Sequence, residues 1–244
     1  MSDPTSGDGI IVTGASSGIG AATARILAER GYIVGCLSRR GTVPDAVERR
    51  AIGYQCDVTD PQQVKDAVQK FTAKVGSLIG LVNNAGAHEE MPSAELPLNA
   101  LRSMLEVNFV SAFSVCQQAY PYLKAQGGMI VNIGSFYDHL GVRSNLAYAA
   151  SKAAVASMTR TLAVEWARDK IQVVNVAPGY ILTELNREWF SDPKNHDAVI
   201  RRIPARQIGQ PEDVGRLIAG LFESRSPFLT GTTIYLDGGE GISL

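Results

Sequence analysis

The sequence predicts an α/β protein with a single domain, in which helices cover both faces of a doubly wound parallel sheet of seven strands. Seven short apolar runs recur along the chain, mostly separated by segments with apolar residues at helical spacing. The runs are nearly continuous rather than alternating, as in strands that are buried on both faces. The chain has no internal repeat, low-complexity tract or linker-like boundary, so residues 1–244 are expected to form one domain.

The first half of the chain predicts four strands and two helices. The strands are short apolar or β-rich runs, at 10–14, 32–37, 51–56 and 78–83. A helix follows the first strand and is expected to end at Gly31, since glycine favours a helix C-terminus. A second helix is expected over 59–76, with Pro61 at its first position and Gly76 at its end. We expect the order βαβαβ throughout the chain.

The second half predicts three further helices and three further strands. The helices are expected over 99–124, from about 148 to 168, and over 211–222. The strands are expected over 129–134, 171–176 and 233–239. Because parallel strands buried on both faces need helices on both faces, this pattern predicts the doubly wound arrangement.

Composition and charge argue against several classes of partner. The net charge is −1 without a long run of like charge, so neither nucleic acid nor an acidic membrane surface is expected to bind. No apolar run approaches the ~20 residues that span a bilayer. The polar N-terminal stretch "MSDPTSGDG" has the character of neither a signal peptide nor an anchor. A cytoplasmic protein is therefore expected.

The cysteines and histidines predict neither a disulfide framework nor a metal site. Cys36, Cys56 and Cys116 are far apart and odd in number, which favours buried reduced thiols. The three histidines have no ligand spacing with one another or with the cysteines, so no metal is expected.

A glycine-rich stretch, "TGASSGIG" at 13–20, lies between the first strand and the first helix. Gly14 would allow a tight turn, Gly18 would let a pyrophosphate approach the backbone, and Gly20 would let the helix pack close to the strand. Free N–H groups at the helix N-terminus would then face the phosphates. A tight turn without a ligand is the alternative, but the place at the first crossover predicts a dinucleotide site of the Rossmann type. The other loop residues predicted to contact the dinucleotide are Ser16, Ser17 and Ile19.

The end of the second strand, "LSRR", bears on the choice of cofactor. An NAD site usually carries a carboxylate here, which accepts hydrogen bonds from the ribose 2′-hydroxyl. Ser38, Arg39 and Arg40 stand there instead, and a guanidinium suits a 2′-phosphate. NADP(H) is therefore predicted over NAD(H), with Arg39 as the phosphate-binding residue. Arg40 is placed in the same site, although we interpret it as a solvated loop charge.

The stretch "YAASK" places Tyr148 and Lys152 four residues apart in a predicted helix, where they would be neighbours. An unperturbed tyrosine has a pKa of about 10. A nearby ammonium would lower that pKa towards the range in which a phenol is useful for proton transfer. The alternative is an accidental pair on a solvated helix face.

Together these features resemble the short-chain dehydrogenase/reductase family, in its compact form of roughly 250 residues. The resemblance covers essentially the whole chain. It includes the glycine motif, "NNAG" at 83–86 and "PGYILT" at 178–183. It also includes Asn108 in "LEVNFV", and Ser135, which precedes Tyr148 by thirteen residues.

The resemblance implies a role for each of four catalytic residues. Tyr148 would give a proton to a carbonyl oxygen or take one from an alcohol, and Ser135 would hydrogen-bond the same oxygen. Lys152 would bind the nicotinamide ribose and lower the pKa of Tyr148. Asn108 would hold a helix distortion and a water that links Lys152 to solvent. Taken alone, Asn108 and Ser135 could each be an ordinary polar group.

The resemblance also implies contacts with the cofactor beyond the glycine motif. Asp57 would contact the adenine, although it could also cap the turn that follows it. Asn84 and Gly86 would line the adenosine side, while Ile181 and Thr183 would hold the carboxamide and the diphosphate. Four neighbours in these stretches complete the expected cofactor site: Val58, Ala85, Pro178 and Gly179.

The implied reaction is NADP(H)-dependent reduction of a small ketone to a secondary alcohol, or its reverse. The close Tyr–Lys spacing argues against enoyl-reducing relatives, and the glycine spacing argues against epimerase-like ones. Reduction of a 3-oxoacyl group on a carrier protein is an alternative, which is weakened because Gln126 and Asp169 stand where arginines are usual. A sugar-acid reductase is another alternative, and so is a non-catalytic NADP(H)-binding regulator.

The resemblance further implies a homotetramer, with the two long helices at one interface and the tail "DGGEGISL" at another. Substrate residues are expected in three variable stretches, at 87–93, 136–146 and 180–196. The third belongs to an expected lid over 180–200, in which Trp189 and Phe190 would close on an apolar substrate or pack the lid onto the body.

Overall fold

The computed structural model describes residues 7–184, 186–224 and 226–243, and a seven-stranded parallel sheet runs through its centre. The strands are β1 Gly7–Thr13, β2 Ile33–Ser38, β3 Ala51–Gln55, β4 Gly76–Asn83, β5 Gly128–Ile133, β6 Ile171–Pro178 and β7 Thr233–Leu236. Their order in the sheet is β3-β2-β1-β4-β5-β6-β7, and every neighbouring pair is parallel. The predicted seven-stranded parallel sheet is confirmed.

The helices pack in two layers, as the doubly wound prediction requires. They are α1 Gly18–Glu29, α2 Pro61–Val75, α3 Leu98–Leu105, α4 Ser111–Lys124, α5 Leu146–Trp166, α6 Arg187–Ser191, α7 Pro193–Arg202 and α8 Pro211–Ser224. Helices α1 and α8 share one apolar core with the sheet, while α2, α4 and α5 share the core on the opposite face. Phe71 of α2 lies so close to Gly35 of β2 that a Cβ there would be 2.9 Å from its ring.

The expected βαβαβ order is wrong between β2 and β3, because residues 39–50 contain turns and no helix. Val43, Ala46 and Val47 are too few to form an apolar stripe at helical spacing. Gly41 also adopts a φ of 67°, which a helix does not permit.

The helix predicted over 99–124 is interrupted in its middle. A π-helical segment at Glu106–Val110 separates α3 from α4 and buries Asn108. The Tyr148–Lys152 helix begins at Leu146, and a short 3₁₀ turn at Ala167–Asp169 follows it. A π-helical turn holds one extra residue, and the apolar pattern alone predicted a single continuous helix here.

A row of buried asparagines crosses the middle of the sheet. Asn83, Asn132 and Asn175 stand in register on β4, β5 and β6. The Asn83 amide donates to Asn132 Oδ1 at 2.9 Å, and the Asn132 amide donates to Thr159 Oγ1 of α5 at 2.9 Å. These bonds satisfy polar groups that would otherwise be unpaired in the core.

The sheet has a topological switch point between β1 and β4. From β1 the chain moves outward to β2 and β3, and it then returns to β4 on the other side of β1. The connections after β1 and after β4 therefore diverge, which opens a crevice at the carboxyl ends of these strands. The glycine motif and "NNAG" both lie at this crevice.

The described residues were also searched for membrane-spanning helices and for metal-binding clusters. No helix within 7–184, 186–224 and 226–243 is long and apolar enough to cross a membrane. No group of three or more side chains of the metal-binding types comes together in them. The first six residues, Leu185 of the expected lid and Leu244 of the C-terminal tail lie outside the described residues.

Candidate active site

The glycine motif forms a tight cradle at the end of β1. Gly14 and Gly18 have φ values of 65° and 53°, in the left-handed region that favours glycine. A Cβ on Gly20 would lie 2.3 Å from the carbonyl oxygen of Gly14. Only glycine therefore fits at Gly20, as the sequence pattern predicts for a loop that wraps a diphosphate.

Asn84 and Thr13 hold the glycine loop in place from β4 and β1. The Asn84 side-chain amide donates to Thr13 O at 3.0 Å and to Gly14 O at 3.3 Å. In return, Thr13 Oγ1 accepts from the backbone N–H groups of Asn84 and Ala85, both at 3.0 Å. Asn84 thus positions the loop across the switch point, a role that the expected contact with adenosine did not include.

The start of α1 fits a bound dinucleotide diphosphate. Ser17 has an extended backbone and makes no side-chain cap, and the first turn of α1 carries no acidic residue. The N–H groups and the positive end of the helix dipole are thus available to an anion. Thr183 lies over this loop, since a Cβ on Gly18 would be 3.4 Å from its methyl group.

Arg40 is exposed, as expected of a loop charge, but its guanidinium is held on the glycine loop. Its guanidinium donates to Ser16 O at 2.8 Å and to Ser16 Oγ at 3.0 Å. Arg39 is exposed and close enough to Asp57 to help lower the pKa of that carboxyl. Ser38 is buried, and its hydroxyl accepts from the N–H of Gly41 at 3.0 Å. Both guanidinium groups therefore border the place where a 2′-phosphate is expected.

Asp57 caps the turn after β3. Its Oδ1 accepts from Thr59 N at 3.0 Å and from Thr59 Oγ1 at 2.8 Å. These hydrogen bonds, with a smaller contribution from Arg39, hold the pKa of Asp57 below its usual value. The turn places Asp57 and the buried Val58 beside the end of β2, where an adenosine would lie.

Tyr148 and Lys152 lie together in α5. The Lys152 ammonium is 5.6 Å from the centroid of the Tyr148 ring and donates to Ile133 O, at the end of β5, at 2.8 Å. Burial lowers the pKa of Lys152 to about 8. Burial also raises the pKa of Tyr148, and a hydrogen bond with Ser135 opposes that increase. The pKa of Tyr148 in the protein by itself is thus raised rather than lowered, because burial outweighs the groups that favour the phenolate.

Ser135 reaches Tyr148 from the end of β5. It is buried, and its Oγ accepts from the N–H of Tyr137 at 3.2 Å. This bond fixes the serine hydroxyl at the start of the 3₁₀ turn Phe136–Asp138, while the same hydroxyl bonds Tyr148. The sequence-predicted Ser135, Tyr148 and Lys152 thus meet in one place, beside the carboxyl end of β5.

Asn108 joins three parts of the site from inside the π-helical segment. Its Oδ1 accepts from Ala87 N at 2.7 Å, and its Nδ2 donates to Ala87 O at 2.9 Å. The same amide donates to Ser151 Oγ at 2.9 Å. The expected helix distortion is present at Asn108, and its amide holds the loop after "NNAG" against α5.

His88 is a residue of the site to which the sequence gave no role. Its ring lies edge-on to the Tyr148 ring, with 4.6 Å between centroids. Its Nε2 is 2.7 Å from Asn145 Oδ1, and the Asn145 amide nitrogen donates to Arg143 O. Asn145 Oδ1 must then accept, which places the imidazole proton on Nε2. Its signal in the sequence was its place in the variable stretch 87–93, two residues after "NNAG".

The "PGYILT" segment and the lid are joined by packed aromatic rings. Phe190 of α6 is buried, and its ring centroid is 6.2 Å from that of Tyr180. Trp189 is half exposed and contacts Phe190. Phe190 therefore packs the lid onto the body of the protein. In the second variable stretch, the His139 ring packs against the Tyr235 ring, with 4.7 Å between centroids.

This chain belongs to the short-chain dehydrogenase/reductase family. The family model described as enoyl-(acyl carrier protein) reductase matches residues 14–240, which span both the glycine loop and the Ser–Tyr–Lys site. The protein is therefore an oxidoreductase of this family.

Relatives along the whole chain carry different names. The chain is 36% identical to a 3-oxoacyl-[acyl-carrier-protein] reductase of Thermotoga maritima, over 94% of this chain and 96% of that one. It is 37% identical to a cis-4-hydroxycyclohexanecarboxylate dehydrogenase of Sinomonas cyclohexanicum, over 94% of each. The crystal structure of a gluconate 5-dehydrogenase from Burkholderia cenocepacia, in complex with NADP and tartrate, has a TM-score of 0.91 at 32% identity, covering 99% of both chains. Since these names cover unlike substrates, the fold does not identify the substrate.

Proposed function

We propose that the protein interconverts a small ketone and a secondary alcohol with NADP(H), and that Tyr148 is its acid–base group. The observation that carries this proposal is the meeting of Ser135, Tyr148 and Lys152 at the end of β5, next to a cradle that fits a dinucleotide. A protein that only bound the nucleotide would need the cradle but would not need the three polar groups.

Each residue of the set has a role that its surroundings support. A bound nicotinamide supplies or accepts the hydride. In reduction, Tyr148 donates its proton to the substrate oxygen, and Ser135 donates a hydrogen bond to the same oxygen as negative charge develops there. Lys152 carries a positive charge at neutral pH, since its pKa of about 8 lies above that pH. That charge stabilises the phenolate that Tyr148 becomes after it has donated its proton.

The preference for NADP(H) rests on the two arginines after β2. A 2′-phosphate at this place would meet the exposed guanidinium of Arg39 and that of Arg40, which Ser16 holds at the edge of the glycine loop. Planar guanidinium groups bind phosphates through paired, charge-assisted hydrogen bonds. Asp57 is an acidic group beside Arg39, and Thr59 already engages its Oδ1.

The carrier-protein alternative has less support. At the two places where arginines are usual in carrier-protein reductases, Gln126 donates to Ser77 and Leu78, and Asp169 accepts from Tyr120. Neither side chain offers a positive charge to an acidic carrier protein. We therefore propose a small-molecule substrate, without a nucleic acid or a membrane as partner.

The test is consumption of NADPH and of NADH over a panel of carbonyl compounds, with Tyr148→Phe as the blank. The panel holds simple ketones, 5-ketogluconate, an acetoacetyl thioester and a crotonyl thioester. We expect NADPH-dependent reduction of ketones that disappears in the variant. Reduction of the crotonyl thioester alone would move the assignment to enoyl reduction. Tight NADPH binding without any turnover would favour the regulatory alternative.

A further inference from the structure

Two tyrosine hydroxyls meet beside Tyr148, and the proposed proton transfer uses neither of them. The hydroxyl oxygens of Tyr137 and Tyr180 are 3.0 Å apart, within hydrogen-bond distance. The Tyr137 ring stands edge-on to the ring of Tyr148, with 6.0 Å between their centroids. This hydroxyl pair, Tyr137 and Tyr180, therefore borders the space in front of Tyr148.

The hydroxyl pair has one proton more than its own bond uses. Two phenols carry two protons, and the bond between them engages one. Within 7–184, 186–224 and 226–243, neither hydroxyl makes a second hydrogen bond. Tyr137 is buried, and burial together with the bond to Tyr180 raises its pKa, so Tyr137 stays protonated. Since buried hydroxyl groups usually have hydrogen-bond partners, a ligand oxygen could accept the proton that the bond between the two phenols leaves over.

The rings that carry the hydroxyl pair are held from behind. Phe136 contacts both of them, with ring centroids 4.6 Å from Tyr137 and 5.6 Å from Tyr180. Phe190 packs on the other side of Tyr180. Because the rings cannot swing away freely, the hydroxyl pair is pre-organised to receive a ligand atom.

The neighbouring charge favours a neutral oxygen over a carboxylate. Arg202 lies over the Tyr180 ring, 5.9 Å from its centroid, but its guanidinium is already paired with the buried Glu240 at 2.9 Å. Glu90 on the other side is an acid, and its charge helps to raise the pKa of Tyr137. The cation shown beside the pair, Arg202, is thus already paired, and the charge of Glu90 would oppose a bound carboxylate.

The backbone sets the distance between the hydroxyl pair and the reacting oxygen. The N–H of Tyr137 donates to the hydroxyl of Ser135, which we propose to bind the reacting oxygen of the substrate. The side chain of the same Tyr137 supplies one hydroxyl of the pair. We propose that the hydroxyl pair binds a second oxygen of the substrate, close to the carbon that is reduced or oxidised. The preferred substrates are then hydroxy ketones and the matching vicinal diols, a conclusion that rests on the proposed function.

The experiment compares cyclohexanone, 2-hydroxycyclohexanone and 4-hydroxycyclohexanone, with NADPH. Tyr180→Phe removes one hydroxyl and keeps the ring contacts with Phe136 and Phe190. It should lower kcat/KM for the 2-hydroxy ketone about 10-fold or more, while cyclohexanone changes by less than about 2-fold. Tyr137→Phe is the second variant and should give the same selective loss. Tyr120→Phe is the matched control, since it loses a hydroxyl bond to Asp169 that is remote from the site.

The outcomes separate the two proposals. A wild-type preference for the 2-hydroxy ketone over the other two, lost in both variants and kept in the control, supports the inference. Equal losses on all three ketones would show that the hydroxyl pair is only structural, and would overturn the inference. Reduction of simple ketones without a preference overturns the inference and leaves the proposed function standing. A wild-type enzyme that reduces no ketone overturns both.

Discussion

At the scale of single residues, Lys152 combines the catalytic role that we propose for it with an unfavourable position for stability. It is buried, and among the described residues its ammonium donates to one backbone carbonyl rather than to a carboxylate. Its pKa of about 8 in the folded chain lies below the ordinary 10.5, so folding opposes its charge. The shift corresponds to about 3 kcal/mol of destabilisation at neutral pH.

This position predicts that Lys152→Met abolishes turnover and yet does not weaken the fold. At pH 7 the variant should be at least as stable as the wild type, measured as the free energy of unfolding in urea. Between pH 8 and 10.5 the unfolded wild type binds more protons than the folded one. The free energy of unfolding of the wild type should therefore increase relative to that of the variant as the pH rises. A variant less stable than the wild type at pH 7 would contradict this account.

The positions of Arg39 and Arg40 predict that both side chains bind the 2′-phosphate of NADPH. Arg39→Ala and Arg40→Ala should each weaken NADPH binding about 10- to 100-fold, because a charge-assisted bond to phosphate is lost. NADH binding should change little. Fluorescence titration with NADPH and with NADH measures the ratio of the two dissociation constants. An unchanged ratio in Arg40→Ala would mean that Arg40 serves only the loop at Ser16.

At the scale of elements, the sheet and the outer helices could be predicted because apolar runs and helical spacing report burial directly. The apolar pattern did not reveal the π-helical segment, whereas the family resemblance predicted a helix distortion at Asn108. The statement that strands and helices alternate throughout was too general, because residues 39–50, for which no individual helix was predicted, contain few apolar residues and form turns.

In the candidate site too, the sequence predicted some residues and missed others. Motif spacing predicted Ser135, Tyr148, Lys152 and the glycine loop, which belong to regular elements or to their ends. It missed His88 and the partnership of Tyr137 with Tyr180, residues 43 positions apart that only tertiary packing brings together.

The position of Asn108 in the π-helical segment predicts that this side chain links the stability of the protein to its activity. Asn108→Ala leaves the N–H and the carbonyl of Ala87 without their partners. Stability should fall by about 2–4 kcal/mol, and activity should fall as well, because the loop after "NNAG" is released from α5. Urea unfolding and steady-state kinetics measure both. Ser157→Ala in α5 is an outward-facing control that should change neither, and full stability in Asn108→Ala would refute the coupling.

At the scale of the whole molecule, the expected tetramer can be tested on the two long helices. Exposed apolar side chains occur there at Phe113, 37% exposed, and Val164, 80% exposed. If these helices form an interface, Phe113→Glu combined with Val164→Glu should give a smaller particle, because charges would be buried on assembly. Light scattering measures the mass. Phe228→Ser, at a position 98% exposed outside these helices, should leave it unchanged. A monomeric wild type would refute the tetramer.

The row of asparagines across β4, β5 and β6 has a consequence for how the chain reaches its fold. In the native arrangement the amides of Asn83 and Asn132 meet each other, and Thr159 completes the bond on α5. A slip of one residue between these strands would turn an amide to the opposite face, among valines and isoleucines, with no partner. A misaligned sheet is therefore higher in free energy than the native one, and the polar row selects a single alignment for strands whose aliphatic residues would otherwise allow several.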